Sequence, residues 1–306
     1  MINGDHLQLL YHFWLFGDFL KGNSPALHNI YEFNTGDDLE RFEPNTYFLP
    51  FSAVFAAGDW MLGHAFGWNL AVFFSLWVGY LFSFLLVRRY TDRTWIALLM
   101  ALLSVTPSFR WLTLLGGSPT GFGMPFVPLL FIGLDMAVRD NRIKGGFIAG
   151  IAMIFANWSD THVFFFSLLA IPFWCLIAFI KRDNFEWKNY RSYLGIFVAL
   201  LPAVLLAAAA LGMHEWEAGD KIKGSLMKEG RSLAEILKFS PTIEGLIQWD
   251  TSALNNQVFL GLATLTLIAA GLASTSILFA KDRKKNRDLF VVMLTSCIAL
   301  AFVVVL

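Results

Sequence analysis

"GWNLAVFFSLWVGYLFSFLLV" (67–87) runs for 21 residues without a charge. As an α-helix it is long enough to cross ~30 Å of hydrocarbon, which takes about 20 apolar residues. A lone segment can cross only as a helix, because without water every backbone N–H and C=O must find its partner inside the segment. A second stretch, "QVFLGLATLTLIAAGLASTSILFA" (257–280), has the same character. The whole chain agrees: 57% of residues are hydrophobic, mean hydropathy is +0.58 and only 15% are charged, against about 25% in a soluble domain. We therefore expect an all-α fold, a polytopic membrane helix bundle.

Working outward from 67–87, eight apolar spans emerge: 64–87, 94–106, 123–138, 145–157, 162–180, 193–212, 258–280 and 289–306. Their connections test the rule that Lys and Arg collect on the cytoplasmic side. Alternate connections, "RRYTDR" (88–93), "RDNRIK" (139–144), "KRDNFEWKNYR" (181–191) and "KDRKKNRD" (281–288), carry 15 of the chain's 23 Lys and Arg. Eight spans thus alternate without a violation. The expected setting is a bacterial or archaeal cytoplasmic membrane, with residues 1–61 outside.

Two units follow: a first extracytoplasmic loop, 1–61, carrying amphipathic helices, and a bundle, 62–306, that includes a further outer loop at 213–257. Nothing upstream carries 1–61 across the membrane, so we expect a fragment whose first span precedes Met1. The apolar "FVVVL" at the end suggests a second cut. The span 145–157 would rise only ~20 Å as a helix, so, unless the helix continues through the loop, "NWSDTH" (157–162) is expected below the outer surface. "SFRWLTLLGGSPTG" (108–121), after an equally short span, is expected to be recessed too. Ionisable groups at such depth are costly and suggest function by default.

Net charge is zero and there is no basic tract, which argues against nucleic acid as a partner. Cys175 and Cys297 both lie in apolar runs and are better read as small core residues than as a disulfide or metal pair. The aromatic content of 31 Phe, 11 Trp and 7 Tyr needs no sugar to explain it, since Trp and Tyr gather at membrane interfaces.

The stretch "GDHLQLLYHFWLFGDFLKG" (4–22) is too polar to cross a bilayer. On a helix from residue 6, Asp5, Gln8 and His12 fall on one side and Leu10, Phe13, Gly17 and Leu20 on another, as in a helix lying along the interface. Asp5 with Gln8 makes a capping box, which is one sufficient reason for the acid. After it come "GNSPALHNIYEFNTG" (22–36) and "FLPFSAVFAAGDWMLGHAFGWNL" (48–70). An aspartate, an amphipathic helix, then G-x-x-P…N…Y-E-F-x-x-G and F-x-P-F…G…N-L resembles the first external loop of the GT-C superfamily of membrane glycosyltransferases. "RSLAEILKFSP" (231–241) and "VFLGLATLTLIAAGL" (258–272) are similar to later parts of such enzymes. The resemblance implies transfer of a sugar from a polyprenyl-phosphate donor to an acceptor on the outer face, with inversion and with Asp5 as general base. The chain has no D-x-D, its nearest acidic pair being Asp37-Asp38, so a divalent cation stays open and no metal ligand is assigned.

Such chemistry needs a carboxylate within reach of the acceptor hydroxyl and cationic groups for the charge developing on the departing phosphate. Asp5 and Asp160 are the candidate acids. His6, His12 and His162 stand beside them in sequence as substrate contacts, although Asp160-Thr161-His162 also suits an ordinary polar hairpin. For phosphate the candidates are Arg110, in the recessed segment, and Arg231. Arg231 precedes a Ser232/Glu235 capping box, and helix N-termini favour anions; Arg also suits forked phosphate contacts. The partners expected are the lipid bilayer, the sugar donor and an acceptor the sequence does not specify.

Two other classes fit the composition. A transporter or flippase would place ionisable groups near mid-bilayer, and within the spans Asp135, close to an end, is the clearest. A non-catalytic membrane scaffold would share the fold without turnover.

Overall fold

A computed structural model describes residues 6–31, 43–44, 46–181, 190–218, 245 and 261–305. It is mostly helical. The helices are α1 His6–Leu20, α2 Phe51–Leu62, α3 His64–Arg88, α4 Thr94–Val105, α5 Ser108–Leu115, α6 Pro119–Gly123, α7 Phe126–Val138, α8 Ile143–Ser159, α9 Thr161–Ile180, α10 Tyr190–Ala218, α11 Leu262–Lys281 and α12 Arg287–Val305. A short antiparallel pair, β1 His28–Asn29 with β2 Glu43–Pro44, sets His28 opposite Pro44.

Over its described residues, each expected apolar span falls on helix, 123–138 on the end of α6 and on α7. Among the described residues, five helical stretches are long and apolar enough to cross a membrane. A sixth is reached if α4 and Phe109–Leu115, bent by 54°, form one broken span. α8, with 17 residues, falls just short by that measure. These helices are compatible with an integral membrane protein in a lipid bilayer.

The α6–α7 stretch is the centre. Its apolar window is 67% buried, against 28% for α3 and 17% for α10, and α7 touches α3, α8, α9 and α10. Small residues let these helices close up. A Cβ on Gly145 would lie 2.5 Å from the Ala137 nitrogen and 2.5 Å from the Gly133 oxygen, so α7 and α8 meet backbone to backbone, as small residues allow in membranes. Gly145→Val should therefore cost about 3 kcal/mol, since backbone cannot step aside for the added atoms. Thermal unfolding in detergent checks this against Gly271→Ala, whose Cβ would enter open space and should leave the midpoint nearly unchanged.

Aromatic rings join the first segment to the bundle. Phe122 of α6 takes Phe13 of α1 edge-on at 5.4 Å, Phe51 of α2 at 5.3 Å and Trp68 of α3 at 5.7 Å. Phe13, Phe51 and Phe122 are all at most 1% exposed. These three rings are thus core. α1 buries Leu9, His12, Phe13, Leu15 and Asp18. His12, expected on the polar side, turns inward, its ring 5.0 Å from that of Phe48. Leu20, expected on the apolar side, is 62% exposed.

Asp18 ties α1 to the segment that follows it. Asn23 Nδ2 donates to Oδ1 at 2.8 Å and the Tyr31 hydroxyl to Oδ2 at 2.7 Å. Burial by itself would raise the Asp18 pKa, but these donors outweigh it and hold the carboxyl below its ordinary value. The Tyr47 hydroxyl accepts from His28 N and donates to Pro25 O, closing the same loop.

At the far end of α3 a second polar knot locks two turns together. Arg89 Nε reaches Asp135 of α7, and Arg89 Nη2 donates to Asp140 at 2.8 Å. Tyr90 donates to Asp135 at 2.7 Å, while Arg139 donates to Arg89 O and lies over the Tyr90 ring. The basic connections 88–93 and 139–144 are therefore neighbours.

Candidate functional site

Asp160 is the single residue that separates α8 from α9. It is extended, φ −166° and ψ 120°, and caps α9: its Oδ1 accepts from His162 N at 2.9 Å. Asp is a favoured cap for this reason. The expected hairpin is thus one residue long, and α8 continues to Ser159. His162 Nδ1 lies 3.0 Å from the same Oδ1, with a side chain 80% exposed. Asp160 is 7% exposed, and its second oxygen, Oδ2, has no partner among the described residues.

Two neighbours share that condition. Asn157 gives its Nδ2 to Ala210 O at 3.0 Å, and its Oδ1 is buried without a partner. Trp158 Nε1 is likewise unpartnered. Buried polar atoms are nearly always satisfied, so a cluster of exceptions at one helix junction asks for a ligand or water.

Arg110 lies on α5, 3% exposed. Its Nη2 donates to Ser75 O at 2.9 Å, its Nε has no partner, and no carboxylate meets it among the described residues. Gly79 makes the room: a Cβ there would lie 2.7 Å from Nη2. An uncompensated buried cation is costly and calls for an anion.

α6 connects these groups. Its Gly121 carbonyl accepts from Ser75 Oγ at 3.3 Å, and a Cβ on its Gly123 would lie 3.5 Å from Asp160 Cβ. Ser75 is eleven residues into α3, about 16 Å of rise from its His64 end. The short span from which a recess at 157–162 was expected does not hold, because α8 continues from Ile143 through to Ser159.

His6 reaches α5 instead: Nε2 meets Leu115 O, and the ring lies 5.9 Å from that of Trp68. Gly117, at φ +71°, turns the chain there, where a Cβ would lie 2.7 Å from the His6 backbone; only glycine suits both demands. His12 reaches the junction indirectly, since Phe48 precedes Leu49, whose carbonyl accepts from Ser159 Oγ at 3.3 Å. Asp160 and His162 therefore meet directly; Arg110 is linked to α6 through Ser75, His12 to the junction through Phe48, and His6 lies at the end of α5. Asp5 and Arg231 lie outside the described residues.

Ser75 and Asn157 were not expected here as site residues. Ser75 offers only a lone hydroxyl in an apolar run, and the role of Asn157 depends on α10, far along the chain. Along α1, Leu7, Leu10, Tyr11 and Trp14 line a shallow groove of about 230 Å³ with His64, which pairs with Asp59. Among the described residues no group of three or more His, Cys, Asp or Glu is placed to hold a metal ion.

The chain matches no family model, no curated protein and no solved structure. What it does rests on the site itself.

Proposed function

We propose that this protein is a membrane glycosyltransferase of the GT-C kind, moving a sugar from a polyprenyl-phosphate donor to an acceptor on the outer face. In this reading eight spans cross the membrane, with 88–93, 139–144, 181–191 and 281–288 on the cytoplasmic side and the junction of α8 with α9 opening outward. The observation that carries the proposal is the pairing, around α6, of a buried carboxylate with a free oxygen and a buried guanidinium with a free N–H. A sugar phosphate presents both complements, hydroxyls for the acid and an anion for Arg110. The resemblance over residues 4–73 supplies Asp5 as general base, with Asp160 as the second acid. The groove along α1 begins two residues after Asp5 and offers Tyr11 and Trp14 as a stacking surface.

The direct test is transfer in membranes supplied with a radiolabelled polyprenyl-phosphate sugar and acceptor extract. Asp5→Asn should abolish it, by ~10²-fold or more for loss of a general base, while the protein still inserts. Full activity in that variant would remove Asp5 from the mechanism.

One observation favours a second reading. Arg110 sits against Ser75 and Gly79, near the middle of α3, the depth at which carriers place charged groups. A lipid-phosphate carrier would show substrate flux in proteoliposomes without any transfer product.

A further inference from the structure

Far from α6, at the end that holds the Arg89–Asp135 knot, helices α7, α9 and α10 leave a groove between them. Val138, Cys175, Leu176, Phe179, Ile196 and Leu200 are among its lining residues, and its volume is about 420 Å³. The walls are almost wholly apolar. From Tyr193 to Leu200 it follows α10 for about 10 Å. Leu176 is 46% exposed and Phe197 64% exposed, so the groove opens sideways, where three candidate spans meet the bilayer. A hydrocarbon chain is the occupant this position presents.

The rim adds a second requirement. Val138 runs straight into the turn 139–142, and Asn141 packs against Gly195 of α10, which brings that turn over the groove's polar end. Arg142 and Lys144 are exposed there, and Lys181 follows directly on α9. Asp140, the acid of this turn, is already taken by Arg89. No ion pair among the described residues engages Arg142 or Lys181. A charge-neutral headgroup would leave these cations unanswered; a phosphate with net negative charge would answer them, each basic residue near the surface favouring anionic lipid by about fivefold.

From these observations we infer that the α7–α9–α10 groove is a binding site for an anionic glycerophospholipid of the leaflet at the basic end. One acyl chain lies against Cys175, Ile196 and Leu200, and the headgroup sits at Arg142 and Lys181. This does not depend on the sugar-transfer proposal, since the site is at the opposite end of the bundle.

The test uses the full chain in phosphatidylcholine nanodiscs containing a minor fraction of phosphatidylglycerol with a diazirine in its acyl chain. After irradiation, adducts are mapped by peptide mass spectrometry. They should concentrate on 175–179 and 193–200, and exceed several-fold those from the matching phosphatidylcholine probe. Ile196→Trp, which fills the groove, should remove them. Arg142→Gln with Lys181→Gln, which leaves the apolar walls intact, should erase the headgroup preference but keep the adducts. Adducts spread evenly over the helices, equal labelling by both probes in the native chain, or unchanged labelling in Ile196→Trp would each overturn the assignment.

Discussion

Asp160→Asn lowers sugar transfer by ~10²–10⁴-fold, the span over which a positioned acid or base acts, yet leaves the chain folded. The reason for expecting both lies in the two oxygens. Oδ1 already has a structural task, accepting from His162 N as the cap of α9. Asn caps a helix as well as Asp does, so the amide keeps that bond. Oδ2 has no partner among the described residues, and it is the charge on this carboxyl that the exchange removes. Asp160→Ala separates the two roles from the other side: it loses the cap, at about 1 kcal/mol, as well as the chemistry. Thermal unfolding should therefore distinguish Asn from Ala while transfer assays do not. If Asp160→Asn transfers sugar at the native rate, the carboxylate is a cap alone, and the acid chemistry falls back on Asp5.

The bundle was legible because each helix is announced locally. An uncharged run such as 67–87 must satisfy its own backbone, and it appears as α3 within a few residues of the expected bounds. The recess expected from span length did not follow, because α8 runs two residues past its expected end and reduces the hairpin to Asp160 alone. What could not be read is what depends on distant partners. The inward turn of His12 depends on Phe48, and the cavity for Arg110 on Gly79, neither adjacent on the chain. A helical wheel assigns faces by polarity, whereas α1 is covered on two sides by aromatic neighbours that make no demand on its periodicity. The candidate site was visible as residue types, Asp160 with His162 and the lone Arg110. Its hub, α6, was not: five residues rich in glycine carry no chemistry of their own, and matter because α3, α5, α8 and α9 close on them.

The same separation between local signal and distant partner makes Arg89 the most exposed point of the bundle's stability. Arg89 meets two carboxylates of contrasting burial: the Asp135 side chain is 0% exposed and that of Asp140 27%. Arg89→Met leaves the Asp135 side chain buried without its cation, with Tyr90 as its remaining side-chain donor among the described residues, and should cost about 3–5 kcal/mol, the usual penalty for orphaning one member of a buried pair. Asp140→Ala breaks the partly exposed contact and should cost less than ~1 kcal/mol. Replacing both members of the buried pair, Arg89→Met with Asp135→Leu, should recover most of the loss, because apolar groups of similar volume need no compensation there. Equilibrium unfolding in detergent of Arg89→Met, Asp135→Leu and the double variant closes a double-mutant cycle with native protein as its first corner. If the Arg89 and Asp135 changes simply add, the two side chains act independently, and the turns at 88–93 and 139–144 are held by packing without the ion pair.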